Sequence, residues 1–159
     1  MQSEPSAPSQ PLTIGWKEYL TFPEWHLPRI RVKVDTGAFT SALDVAHYEL
    51  TRGEQGEPLA RLWLALNRRR PDRLRCVHAP LLRTVVVSNS GGMQEERPVI
   101  EAAVRLGPVH KRIRLTITNR ARMRFRMILG RQALAGSFIV DVSRKYLLHA
   151  GQPGHKNQG

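Results

Sequence analysis

Arg31-Val32-Lys33-Val34-Asp35-Thr36-Gly37-Ala38-Phe39-Thr40-Ser41-Ala42-Leu43 is the stretch on which the reading of this 159-residue chain turns. Its valines alternate with cations at the period of two that a half-buried strand shows, and the strand runs straight into a turn of Thr, Gly and Ala. Gly37 opens a backbone path there that residues with a Cβ avoid. The pattern predicts one carboxylate, Asp35, held at a rigid edge, with Thr36, Gly37 and Ala38 shaping the loop and Ser41 supporting it. Taken alone, Asp-Thr-Gly is more often the chemistry of an ordinary β-turn.

The flanking sequence is strand-rich. Ile14 to Phe22 reads as an edge strand ending at Pro23, with Trp25 and Leu27 in a loop before Pro28. Ser41 to Leu50 reads as one strand leaving the turn, so that it and the Asp35 strand form a hairpin-like pair. Ala60 to Leu66 is almost continuously apolar, as a strand buried on both faces would be. Asn67 to Arg75 is an Arg-rich loop around Pro71. Val85-Val86-Val87, a Ser90-Gly91-Gly92 turn and the run Arg97 to Leu106 predict a β-hairpin, a natural candidate for a flap over a substrate. Arg112 to Thr118 alternates cleanly. Met123 to Leu129 alternates up to Gly130, Arg131 to Ala135 offers one short helix, and Phe138 to Val142 a last strand. The chain is predicted to be mainly β.

Length fits one domain, expected over residues 12–150, with Met1 to Pro11 and Gly151 to Gly159 as a disordered leader and tail. No apolar run reaches the length of a membrane span and no secretory signal opens the chain, so no membrane partner and a cytoplasmic location are the expectation. The single cysteine, Cys76, rules out an internal disulfide. Net charge is +12, and the surplus is Arg rather than Lys, which suits carboxylate or phosphate recognition. Polyanions are the class of partner this favours.

Val34-Asp35-Thr36-Gly37-Ala38 with Thr40-Ser41-Ala42-Leu43, Ser90-Gly91-Gly92 with Arg97-Pro98-Val99-Ile100, Leu106-Gly107, Thr118-Asn119-Arg120, and Met123-Arg124-Phe125 through Met127-Ile128-Leu129-Gly130-Arg131-Gln132-Ala133-Leu134 resemble a bacterial retropepsin-like aspartic protease family that carries the label "ATP-dependent zinc protease". The likeness runs from about Ile14 to His149. It implies a retropepsin-like acid-protease half-barrel in which Ile128, Leu129 and Gly130 form the strand beside the catalytic loop and Asp35 is catalytic. It also implies a functional link to ATP-grasp ligases that add glutamates to a ribosomal protein, and so an acidic peptide or protein substrate, with Arg124, Arg126 and Arg131 as candidate anion contacts. One departure stands out: where the family commonly places His, this chain has Asp44.

An aspartic protease needs two carboxylates sharing a proton. Besides Asp35 the chain offers Asp44, Asp72 and Asp141 and no second Asp-Thr-Gly, so a homodimer is the simplest arrangement. The zinc label finds little support, because there is no His-Glu-x-x-His, Cys76 and His78 make only two ligands, and no phosphate loop is present for ATP. No cofactor or metal is expected. The competing readings are a non-catalytic basic β-barrel binding ribosomal RNA or another polyanion and, third, a zinc-dependent hydrolase.

Overall fold

Alternating apolar and charged residues make strands of nearly the whole chain, and the positions of the buried members of each alternation decide how those strands close on one another. The computed structural model describes residues 10–67, 69–70, 72–88, 91–119 and 124–148. Its strands are β1 (Leu12–Gly15), β2 (Lys17–Phe22), β3 (Leu27–Val34), β4 (Ser41–Asp44), β5 (His47–Arg52), β6 (Pro58–Ala65), β7 (Leu74–Ser88), β8 (Gln94–Leu106), β9 (Val109–Thr118), β10 (Met127–Leu129) and β11 (Phe138–Asp141). A 3-10 turn covers Pro23–Trp25, and one short helix, α1, covers Arg131–Leu134.

Strands β2, β3, β10, β4, β9 and β8 are hydrogen-bonded in that order, and a β2–β8 pairing at Thr21 and Arg105 closes them into a six-stranded barrel. Closure removes the exposed edges that an open sheet presents. Val32, Val34, Leu43, Leu115, Ile117, Ile100, Met127 and Leu129 point inward and are buried, so each strand gives one face to a common core. From β8 the sheet continues outward through β7, β6 and β5. Trp25 ties this extension to the barrel: it stacks on Phe22 with ring centroids 4.6 Å apart and its Nε1 donates to the His78 carbonyl at 3.1 Å.

Glu18 is a carboxylate with no exposed surface, in the barrel wall. Its oxygens accept from the backbone N–H groups of Gly15 (2.7 Å), Leu147 (3.0 Å) and Leu148 (3.3 Å), which pins the C-terminal segment across the start of β2. A buried charge is tolerable when donors of this kind surround it. Next to it, β1 and β11 form a separate parallel pair.

Several expectations are corrected. Asp35's strand and the strand after the turn are not a hairpin pair: the loop between them is wide enough for β10 to enter, parallel to β3 and antiparallel to β4. Ile14 to Phe22 is broken at Trp16 into the end of β1 and all of β2. Leu27 and Pro28 begin β3 instead of lying in a loop. The run Ser41 to Leu50 is two strands, because Val45 and Ala46 carry the chain from the barrel, where β4 pairs β9, to the extension, where β5 pairs β6. Ala60 to Leu66 is not buried on both faces; Ala60, Leu62 and Leu64 are buried, while Trp63 and Ala65 are half-buried. Strand β7 begins at Leu74, so Arg75 and Cys76 lie in a strand. Only Met127–Leu129 of the Met123 to Leu129 run is strand, and Met123 lies outside the described residues.

Candidate active site

Asp35 emerges from the end of β3, and the backbone of the neighbouring strand catches it at once: its N–H donates to the Leu129 carbonyl at 2.9 Å. The loop then turns on itself. The Ala38 N–H donates to the Asp35 carbonyl at 3.2 Å, and the Gly37 N–H donates to Asp35 Oδ1 at 3.0 Å. That last bond orients a half-buried carboxylate and leaves Oδ2 for other chemistry.

Gly130 is required by space, and Gly37 sits where a side chain would press on the Asp35 carboxylate. Gly37 does not adopt a left-handed backbone, contrary to the conformational role expected for it; a Cβ there would sit 3.2 Å from Asp35 Oδ1. Gly130, extended at φ −95° and ψ 177°, lies so close to the loop that a Cβ would be 2.5 Å from the Thr40 carbonyl oxygen and 2.9 Å from that of Ala38. The approach is held by bonds on both sides. Arg131 N–H donates to Ala38 O (2.8 Å), Gln132 N–H to Phe39 O (2.9 Å), and Gly130 N–H to the buried Ser41 Oγ (3.0 Å). The Arg131 guanidinium adds a bond to Thr36 O at 3.0 Å.

Of the residues expected in the site, Asp35, Thr36, Gly37, Ala38, Ser41, Leu129, Gly130 and Arg131 are thus brought together. Ser41 faces inward and supports Gly130, and Arg131 binds the loop backbone. Ile128 lies on the outer face of the wall, in register with Lys33, two residues before Asp35. The strand register puts Lys33, Ile128, Ala42, Thr116 and Val99 side by side on that face, and Arg31, Asp44, Thr118 and Arg97 two residues further along. Arg126 stands opposite Asp44 and accepts its N–H at 2.7 Å through the backbone carbonyl.

Asp44 lies about four residues from Asp35 along this wall, on the order of 13 Å. It accepts from Thr118 Oγ1 at 3.2 Å. Asp141, on β11, accepts from the Ser143 hydroxyl at 2.6 Å and its N–H at 3.0 Å, bonds that hold its carboxyl below the usual carboxylate range. Among the described residues no second carboxylate pairs with Asp35. The Gly91-Gly92 hairpin extends past the Asp44–Thr118 end of the barrel, and Ser90 lies outside the described residues.

Arg97 is a residue that sequence patterning does not single out. Its side chain is only 14% exposed, it bonds Glu95 at 3.2 Å, and its Nε has no partner among the described residues. Cys76 and His78 share a face of β7, but Arg61 Nε donates to His78 Nε2 at 3.2 Å, which occupies the nitrogen a metal would use. No group of three or more metal-binding side chains occurs among the described residues, so the donor set does not fit a zinc centre.

The closed barrel, the strand inserted between β3 and β4, and the Asp-Thr-Gly-Ala turn locked to Gly130 define a retropepsin-like protein. The chain belongs to the RimB-like family, described as retropepsin-like aspartic endopeptidase RimB, whose model matches residues 13–150. It is also 35% identical over 136 residues to a protein of Shewanella pealeana named "Probable alpha-L-glutamate ligase", covering 85% of this chain and 29% of that one. A protein of the same name from Desulfotalea psychrophila is 35% identical over 130 residues, covering 80% and 27%. The chain therefore spans less than a third of these relatives. The crystal structure of Lpg0085 from Legionella pneumophila, a protein of unknown function, shares the fold with a TM-score of 0.73 at 22% identity, covering 86% of this chain and 98% of that one. No described helix is long and apolar enough to cross a membrane.

Proposed function

We propose that this chain is an aspartic endopeptidase in which Asp35 is one half of a carboxylate pair and a second copy of the chain supplies the other half. The observation that carries this reading is the carboxylate of Asp35, fixed through one oxygen by Gly37 while its loop is clamped to Gly130. Two such carboxylates at close range cannot both ionise cheaply, so they hold one proton between them, as the carboxylate dyads of aspartic proteases do. The ionised carboxylate takes a proton from water as the water oxygen attacks the peptide carbonyl carbon. The protonated one gives its proton to the carbonyl oxygen, and collapse of the tetrahedral intermediate breaks the C–N bond with proton transfer to the leaving amine.

Pairing across a two-fold axis is supported by apolar side chains left exposed in the loop and at the β1–β11 pair. Phe39, in the loop itself, is 57% exposed, and Ile139 and Val142 at the β1–β11 pair are 56% and 74% exposed. These are apolar groups of the kind a second copy would cover.

The relatives named as glutamate ligases support a substrate carrying a run of glutamates, such as a ribosomal protein tail, with ligation residing in the part of those longer proteins outside the matched region. Arg97, Arg126 and Arg131 line or border the outer face and are the candidate carboxylate contacts; Arg124 lies further out. The test is hydrolysis of a peptide ending in several glutamates against a matched glutamine peptide, followed across protein dilution. Preference for the glutamate peptide, with specific activity falling as the dimer dissociates, is expected. Full specific activity in a demonstrated monomer would overturn the shared site.

A further inference from the structure

Away from the Asp35 loop, two clefts meet at Leu66. One, of about 770 Å³, is lined by Asn67, Arg70, Arg73, Leu74, Arg75 and Cys76; the other, of about 280 Å³, by Tyr19, Arg29, Ile30, Arg31, Arg124, Phe125 and Arg126. Among the described residues, neither is lined by a carboxylate. Among the described residues Arg29, Arg31, Arg70, Arg73 and Arg124 form no salt bridge, whereas Arg61, Arg97 and Arg112 elsewhere do. Partial desolvation, and then repulsion from Lys145, Arg31 and Arg124, hold the Lys17 ammonium at the edge of this surface below its ordinary value. The positive field is left for something outside the chain to neutralise.

Aromatic rings are interleaved with these cations. Arg29 lies over Tyr19 at 4.4 Å and Arg31 over Phe125 at 5.0 Å. Tyr19 is stacked on Tyr146 at 4.9 Å, and Lys17 lies over Trp16 at 4.3 Å. A guanidinium lying over a ring has a second face and N–H edges with which to meet a ligand. A base can stack on that face while a phosphate takes the edges, a combination that carboxylates alone do not need.

We infer that the joined clefts bind single-stranded RNA, with the backbone following Arg70, Arg73, Arg31 and Arg29 and a base stacking on the Arg29–Tyr19 platform. This surface shares Arg126 with the carboxylate contacts proposed for the peptide substrate but includes no residue of the Asp35 loop, so the inference does not rest on peptidase activity.

Fluorescence anisotropy of a labelled single-stranded oligoribonucleotide with the full chain tests it over a salt series. Affinity should fall as salt rises, with a log–log slope near −0.7 for each phosphate neutralised. Arg70→Ala and Arg73→Ala should each reduce the slope by about 0.7. Arg29→Lys, which keeps the charge and loses the flat stacking group, should weaken binding about tenfold at unchanged slope. Asp35→Asn should bind RNA like the wild type. A glutamate peptide of equal charge that binds as tightly and displaces the RNA would assign the surface to acidic proteins and overturn the inference. Unchanged slopes in both alanine variants, with circular dichroism showing them folded, would overturn it as well.

Discussion

Gly130→Ala tests whether the close approach of the inserted strand is what holds the Asp35 loop. The glycine's backbone is extended, so alanine faces no conformational penalty; what it meets is the Thr40 carbonyl oxygen at 2.5 Å, its carbon at 2.7 Å and the Ala38 oxygen at 2.9 Å. Cβ contacts under 3.0 Å are essentially not found in proteins, so the loop and strand must part by roughly half an ångström. The displacement falls on the three bonds that join them, from Gly130, Arg131 and Gln132. Overpacking of this kind costs about 1–3 kcal/mol, and weakening the buried Gly130–Ser41 bond adds about 1 kcal/mol. At about 2–4 °C per kcal/mol for a chain of this size, the expected fall in Tm is about 4–16 °C. Activity should fall further than the folded fraction, because a misplacement near 1 Å can cost about a hundredfold in rate. Thermal unfolding and peptide hydrolysis, measured on the same preparation, decide it. A Gly130→Ala protein with wild-type Tm and rate would refute the clamp.

Glu18→Ala removes the acceptor for three backbone N–H groups and should destabilise by about 2–4 kcal/mol, seen as a lower denaturation midpoint, with Leu147 and Leu148 amides exchanging faster. Ser143→Ala tests a pH dependence. Because hydrogen bonds from Ser143 depress the folded pKa of Asp141, their stabilisation is complete above the ordinary carboxylate value near 3.9 and is lost as pH falls through the lower folded value. The variant should melt slightly below wild type at neutral pH, and the gap should close in acid.

The sequence marked the Asp35 loop and the Gly130 strand because both are local patterns: alternation running into a turn, and alternation ending at a glycine. Periodicity could not mark that β10 enters between β3 and β4, since that pairing joins residues distant along the chain; only the family resemblance put that strand beside the catalytic loop. Ala60 to Leu66 misled for a related reason. Trp63 and Ala65 are apolar yet half-buried, Trp63 lying against His47 at 5.1 Å, so composition overstated their burial. Glu18 and Arg97 were illegible because a buried charge looks like any surface charge until its partners are known. The basic clefts were visible as an Arg surplus, but their aromatic platforms draw on Tyr19, Phe125 and Tyr146, which only folding brings together.

Asp35→Asn is the most direct test of the central claim. The substitution keeps the side chain's size and the oxygen that accepts from Gly37, and it removes the ionisable group. Hydrolysis of a glutamate-tailed peptide should drop to the uncatalysed background while the Tm and the assembly state stay those of the wild type. Cleavage by Asp35→Asn at the wild-type rate would contradict the assignment of this carboxylate to catalysis.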